Sequence, residues 1–199
     1  ANLCLWPKVC RFWKGMVMSM EENGMLFGKE IYLRPMTEED TDLIVLWRNR
    51  EFVRRNFIYQ KPFTREGHLK WIHTMVDTGK VVQFMICEKA SKRPVGSVYL
   101  RDIIQEHKRA EYGIFIGEED AIGRGYGTQA VKLIVAYGFE YLHLHKIMLR
   151  VLAENARARK SYEKAGFVQE AYLKDEVFLQ GAYRDIIYMA MINEKENGE

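Results

Sequence analysis

The sequence has no long apolar run, no surplus of either charge and too few cysteines to build a framework. Cys4, Cys10 and Cys87 are odd in number and show no C-x-x-C spacing, so they cannot all pair within the chain. That argues for a reducing compartment, and the cytoplasm is the default. Thirty Lys and Arg stand against 27 Asp and Glu, spread along the chain for a net charge of +3, so no strong field points to nucleic acid or an anionic membrane. A transmembrane helix is lacking, and Lys8, Arg11 and Lys14 interrupt every apolar run of the first twenty residues before it reaches signal-peptide length. Ala1 is no start methionine, while Met16, Met18, Met20 and Met25 follow closely, so residues 1–25 are set aside as a leader, disordered or not native in part. What is present, 48% hydrophobic and 13% aromatic over 199 residues, fits one domain with a full core over residues 26–193 and a disordered tail over 194–199.

Ile31–Pro35 reads as a short strand ended by proline. The acid-rich Thr37-Glu-Glu-Asp40 then opens a helix with Leu43, Leu46 and Trp47 on one face. A basic connector, Arg48 to Lys61, leads to a second helix capped by Thr64, with Leu69, Ile72 and Val76 as its apolar stripe. Val82–Cys87, Pro94–Leu100 and Glu111–Ile116 have strand-like composition and form an antiparallel meander. After a glycine-rich turn, Val131, Ile134, Val135, Gly138, Phe139 and Leu142 recur at helical spacing, and Lys146–Leu152 is the next strand. Strand, helix, strand of this length is a crossover, so the strands on either side of it run parallel. A short helix from Ala156 to Lys164 ends at Gly166, and a final hairpin, Tyr172–Leu179 and Tyr183–Ile192, reverses at Gln180-Gly181. The whole is an α+β sandwich on a mixed sheet.

Gly123-Arg-Gly-Tyr-Gly127 lies between a strand and a long helix. Glycines there let several N–H groups converge at the positive end of the helix dipole, which suits a phosphate, although tight-turn glycines alone would give the same pattern. It is not a P-loop, since no Gly-Lys-Ser/Thr follows, nor a G-x-G-x-x-G dinucleotide turn.

The turn Gly123-Arg-Gly-Tyr-Gly-Thr-Gln-Ala130, the strand beginning His145-Lys-Ile-Met-Leu-Arg-Val and the string Asn155-Ala-Arg-Ala-Arg-Lys-Ser-Tyr-Glu-Lys-Ala-Gly-Phe167 resemble the GNAT acetyltransferases, in their ribosomal-protein, spermidine and amino-sugar branch. Ala110–Ile116 precedes all three in the order the family shows, and the resemblance covers about residues 31–192. It implies a three-layer mixed α/β fold: a mostly antiparallel twisted sheet with a splayed parallel strand pair and helices on both faces. It also implies acetyl-CoA as co-substrate without a metal, its pyrophosphate on the backbone amides of Arg124, Gly125, Tyr126, Gly127 and Thr128, and its pantetheine arm along the strand ending at Phe115 and Ile116. One departure is Ile122, which stands where the family commonly has glutamine or arginine. Because backbone amides carry most of the phosphate binding, the expected effect is a modest loss of affinity.

Acetyl transfer needs a neutral amine, a stabilised oxyanion and a proton for the departing thiolate. The resemblance implies Glu111 as the base, with Asp102, Glu88 and solvent as alternatives and a salt-bridged glutamate as the structural reading. It implies Tyr162 as the acid, against a packed core tyrosine. A phenol, with a reference pKa of about 10, holds its proton at neutral pH and can give it to a thiolate. Asn155 is a sufficient N-cap on its own; the family also uses it to hold the pantetheine arm. The oxyanion would be met by a backbone N–H near Phe115 or Ile116.

Other constellations carry less. His143 and His145 have no further ligand at zinc spacing, and Cys87 has no evident base, which leaves an inert core thiol. Trp47 and Trp71 fit core positions better than a base-stacking surface. The arginines of Arg48-Asn-Arg-Glu-Phe-Val-Arg-Arg-Asn56 favour an anionic acceptor or are a solvated helix face, and Glu38, Glu39, Asp40 and Asp42 look like helix N-terminal charges, not a polyamine site. The expected acceptor is a small-molecule or peptide amine, either a nucleotide-linked amino sugar or a protein N-terminal amine. A polyamine acetyltransferase and a non-catalytic acetyl-CoA-binding module are the alternatives. The final hairpin offers an edge for a homodimer.

Overall fold

A computed structural model of the chain describes residues 19–20 and 24–194, with side chains from residue 24 onward. The described strands form one nine-stranded sheet in the order β1-β2-β3-β4-β5-β6-β7-β9-β8. They are β1 (Ser19–Met20), β2 (Leu26–Phe27), β3 (Ile31–Pro35), β4 (Val82–Glu88), β5 (Pro94–Ile104), β6 (Arg109–Ile116), β7 (Lys146–Leu152), β8 (Val168–Leu179) and β9 (Ala182–Ile192). Helices α1 (Thr41–Asn49), α2 (Glu51–Arg54) and α3 (Arg65–Trp71) lie between β3 and β4, and α3 runs on into a π-helical turn at Ile72–Val76. Helix α4 (Tyr126–Glu140) crosses from β6 to β7, and α5 (Ala156–Ala165) connects β7 to β8.

The crossover makes β6 and β7 parallel, while their outer neighbours pair antiparallel. Their pairing is short: Arg109↔Lys146, Ala110↔Ile147 and Glu111↔Met148, after which the strands part. From Tyr112 to Ile116 one edge of β6 therefore has no strand beside it among the described residues.

Side chains alternate across the sheet, and each face has its own helices. Phe84, Ile86, Leu100, Tyr112, Ile147 and Leu149 join Val131, Ile134 and Val135 of α4 in one core. Met85, Cys87 and Phe115 meet Ile44, Trp47 and Ile72 on the opposite face. Full burial of a residue such as Ile134 or Ile147 stabilises the fold by about 1.5–3 kcal/mol relative to exposure. The result is the three-layer mixed fold that the sequence led us to expect.

Several local expectations hold for local reasons. The Thr64 hydroxyl accepts a hydrogen bond from the Gly67 N–H at 3.1 Å, Gly166 takes the left-handed conformation at the end of α5, and Gln180-Gly181 has φ of 51° and 80°, as a tight hairpin requires.

Others change. Leu46 is 53% exposed, because the buried stripe of α1 is Thr41, Ile44, Trp47 and Arg48. Arg48, expected to begin the basic connector, is thus a buried residue inside α1. Trp71 is only half-buried, whereas Trp47 is fully enclosed. The β1–β2 pairing, Ser19↔Phe27 and Met20↔Leu26, starts the sheet within the stretch set aside as a leader. Asn193 is buried and its N–H donates to the His145 carbonyl, while residues 195–199 lie outside the described part. Tyr172, Phe178 and Tyr183 of the final hairpin are each more than half exposed. Among the described residues, no helix is long and apolar enough to cross a membrane.

Candidate active site

The gap between β6 and β7 opens into a cleft of about 1050 Å³ that passes from one sheet face to the other. On the α4 side its wall is the glycine turn. Gly125 is the N-cap of α4 with φ 78° and ψ 2°, a left-handed conformation that a side chain would strain, and no side chain caps the helix. The first helical bond is Gln129 N–H to Gly125 O, so the N–H groups of Tyr126, Gly127 and Thr128 have no acceptor within the helix. A Cβ placed on Gly123 or Gly125 would meet nothing within 4 Å, so the glycines serve backbone conformation and leave space in front of the helix. An uncapped N-terminus facing an open cleft is an anion site by charge and by donor geometry.

Helix α5 forms the adjoining wall. Asn155 Oδ1 accepts from Ala158 N–H at 3.1 Å, and its Nδ2 donates to Asn56 Oδ1 at 3.1 Å, which ties α5 to the segment after α2. One turn on, Ser161 Oγ lies 3.1 Å from Thr128 Oγ1 and couples α5 to α4. Tyr162 follows, its ring edge-on to Tyr112 at 5.8 Å and to Phe167 at 6.1 Å between centroids. Its hydroxyl has no hydrogen-bond partner among the described residues, and burial raises its pKa above the ordinary phenol value, so it stays protonated at neutral pH. The Tyr112 hydroxyl is likewise buried without a partner.

The other sheet face supplies a polar floor. Arg101 Nη2 donates to Glu111 Oε1 at 2.8 Å, and Arg150 donates through Nε to Oε1 at 3.1 Å and through Nη2 to Oε2 at 3.2 Å. The register explains the cluster: Arg101 faces Glu111 across β5–β6, and Arg150 stands two residues beyond Met148, the partner of Glu111 on β7. Above it, Trp71 Nε1 donates to Gln83 Oε1, and Gln83 Nε2 to Ser97 Oγ, which fixes the cleft wall beneath α3. His68 is 3% exposed, its Nδ1 is 3.1 Å from Thr41 Oγ1, and burial pulls its pKa down to about 4, so it is neutral at pH 7.

Most of the residues singled out from the sequence therefore meet in one place: Glu111, Phe115, Ile116, Gly125, Tyr126, Gly127, Thr128, Asn155 and Tyr162 all line the cleft. Two need qualification. The Arg124 side chain is absent from the cleft lining; it reaches Glu88 at 3.5 Å, so only its backbone is near the turn. The Phe115 ring points away into the second core, edge-on to Trp47 and Phe57, which leaves its backbone for the cleft. Asp102 and Glu88, the alternative bases, do not line the cleft. Cys87 is a free thiol, fully buried, with a pKa raised by burial. Sequence reasoning missed Arg101, Arg150, Tyr112 and Ser161. Ser161 stood inside the quoted motif, one residue before Tyr162, on the helix face that meets α4; the others depend on strand register.

A sheet forked at one parallel pair, with an uncapped helix N-terminus and an unpaired strand edge at the fork, is the frame of an acyl-CoA-dependent transferase. The chain belongs to the GNAT acetyltransferases: the family model described as Acetyltransferase (GNAT) domain matches residues 30–168. The spermidine N(1)-acetyltransferase of Escherichia coli strain K12 is 36% identical over 168 residues, 81% of this chain and 85% of that protein. A probable N-acetyltransferase of Bacillus subtilis strain 168 is 30% identical over 176 residues, 85% of this chain and 97% of that protein. Among solved structures, the spermidine N-acetyltransferase of Vibrio cholerae in complex with CoA and spermine superposes with a TM-score of 0.77 at 26% identity, covering 85% of this chain and 99% of that one. The chain is thus an acetyl-CoA-dependent N-acetyltransferase that transfers the acetyl group to an amine.

Proposed function

We propose that acetyl-CoA enters from the α4–α5 side, that the acceptor amine enters from the α1–α3 side, and that they meet at the fork between β6 and β7. The observation that carries this is the position of Tyr162: it lies in the cleft wall one residue from Ser161, which is bonded to Thr128 at the uncapped start of α4. The residues present fit the co-substrate. Three free N–H groups from Tyr126 to Thr128 suit a pyrophosphate, the open edge of β6 from Tyr112 to Ile116 suits an amide-bearing arm, and Lys160 and Lys164 add positive charge to the same wall. Acetyl-CoA supplies an activated acyl group, and the chain supplies positioning and protons.

In this reading the amine nitrogen bonds to the acyl carbon, the carbon–sulfur bond breaks, the nitrogen loses a proton to a base and the sulfur gains one. Tyr162 is the donor to sulfur. Its raised pKa does not prevent this, because the apolar wall that raises the phenol also raises the proton affinity of a thiolate beside it. Glu111 is the base, acting through water. It is the one carboxylate lining the cleft among the described residues, and of its two oxygens only Oε1 accepts from both arginines. Asn155 caps α5 and keeps Tyr162 in place, and a backbone N–H of the Phe115–Ile116 segment meets the oxyanion.

Replacing Tyr162 with Phe tests the reading: turnover should fall while CoA affinity holds, and an unchanged rate would exclude the acid role. A polyamine acceptor is the second reading, favoured by the 36% identity to the spermidine acetyltransferase of Escherichia coli. We also infer a reducing compartment, the cytoplasm, supported by the free buried thiol of Cys87.

A further inference from the structure

The acceptor side of the cleft holds three guanidinium groups and one carboxylate: Arg48, Arg101, Arg150 and Glu111. Glu111 is already taken by Arg101 and Arg150. Arg48 is left over. It is 6% exposed and lines the cleft, and its guanidinium carbon lies 3.3 Å from the centroid of Phe57, 4.5 Å from that of Phe63 and 5.7 Å from that of Phe115. Among the described residues no hydrogen bond or ion pair reaches it, and its Nη1 is buried without an acceptor. Burial lowers its pKa to about 10, so it is charged at neutral pH.

The neighbouring arginines do not share this state. Arg50 donates to the Gly117 carbonyl and pairs with Glu118 at 3.2 Å, and Arg54 pairs with Glu51 at 2.6 Å. An arginine this buried is ordinarily paired. Aromatic faces satisfy the plane of the guanidinium but leave its N–H donors, which point outward within that plane, without a partner. Such a fork is complementary to an oxyanion lying in its plane, the arrangement in which arginine binds carboxylate or phosphate with two parallel bonds.

The geometry points to an anion-binding subsite at Arg48, so that the acceptor of this enzyme is an amine that also carries a carboxylate or phosphate group. The inference rests on the α1–α3 side being the acceptor side. It separates this chain from its polyamine-acetylating relatives by charge: an acceptor with further ammonium groups would meet three guanidinium groups and a carboxylate already engaged by two of them, whereas an anionic group relieves the excess.

The test uses matched acceptors with the whole chain. Thiol release from acetyl-CoA is measured with ethanolamine against phosphoethanolamine, phenethylamine against phenylalanine, and spermidine. In parallel, calorimetry reads binding of the same compounds to the CoA-loaded protein. The anionic member of at least one pair should have a kcat/KM and an affinity at least tenfold higher than the partner that lacks the anionic group, and the pair that does so tells phosphate from carboxylate. In Arg48→Met, which keeps length and packing on Phe57, that preference should disappear. Arg48→Lys keeps the charge without the fork and should retain a reduced preference; it serves if the first variant does not fold. Spermidine used tenfold better than every anionic acceptor, or a preference unchanged in the variants, would overturn the subsite. Absence of thiol release with every amine would instead overturn the catalytic reading, and calorimetry alone would then decide the subsite.

Discussion

Glu111 on β6 and Arg150 on β7 are bonded across the last point at which the two strands pair: Oε1 accepts from Nε at 3.1 Å and Oε2 from Nη2 at 3.2 Å. The pair bridges the base of the fork, and Arg101 braces it from β5. It therefore holds both the spread of the strands and the one carboxylate that lines the cleft among the described residues.

Glu111→Gln keeps size and one acceptor oxygen but removes the charge, the proposed base and one of the two oxygens that accept from Arg150. The expected result is a kcat/KM lower by about 10²-fold near neutral pH, recovering as pH rises and more of the amine is free. A pH–rate profile over the stable range checks this. A profile of unchanged shape would make solvent the base and leave Glu111 as a brace for the fork.

Tyr162→Phe leaves the ring contacts with Tyr112 and Phe167 in place and removes only the hydroxyl. Turnover should drop by roughly 10²-fold while CoA affinity stays within about twofold. Steady-state kinetics and calorimetry together read the split, and a loss of affinity without loss of turnover would place the hydroxyl in binding instead.

Gly125→Val forces a β-branched residue into a left-handed conformation, at a cost of about 1–2 kcal/mol, and turns its side chain into the space before the helix N-terminus. CoA binding should weaken by at least tenfold, with a melting temperature a few degrees lower. Normal affinity in calorimetry would reduce the turn to a structural role.

His68 makes stability depend on pH. Its folded pKa of about 4 lies below the unfolded reference of about 6.5, so between these values the unfolded chain binds more protons and stability falls as pH falls. From pH 7.5 to pH 5 the loss is about 2 kcal/mol. Denaturant titrations at pH 7.5 and pH 5 should show this difference, and His68→Gln should shrink it; equal stability of the native chain at both values would mean that the imidazole is not buried neutral.

Much of the frame was legible because it rests on local chemistry. Thr64 and Asn155 are side-chain acceptors at helix starts, Gly166 and Gln180-Gly181 take conformations that few residues tolerate, and a strand–helix–strand run of this length has one handed solution. What the sequence hid depends on contacts between distant segments. Nothing local says that Arg101 lies opposite Glu111, or that Arg150 reaches the same carboxylate, because register is set by the whole sheet. Arg48 reads with its neighbours as part of a basic connector, whose arginines either favour an anionic acceptor or lie on a solvated helix face, and only the fold shows it buried in α1 and stacked on Phe57. Leu46 erred in the other direction, as an apolar side chain whose facing is set by a shift of one residue on the helix.

The most direct test of the account is amine-dependent thiol release from acetyl-CoA, followed with the native chain and with Tyr162→Phe, with mass spectrometry of the acceptor. The account predicts thiol release matched one for one by N-acetylated product, and a much slower rate in the variant at unchanged CoA affinity. Tight CoA binding with no thiol release for any amine, or equal rates in the two proteins, would contradict it.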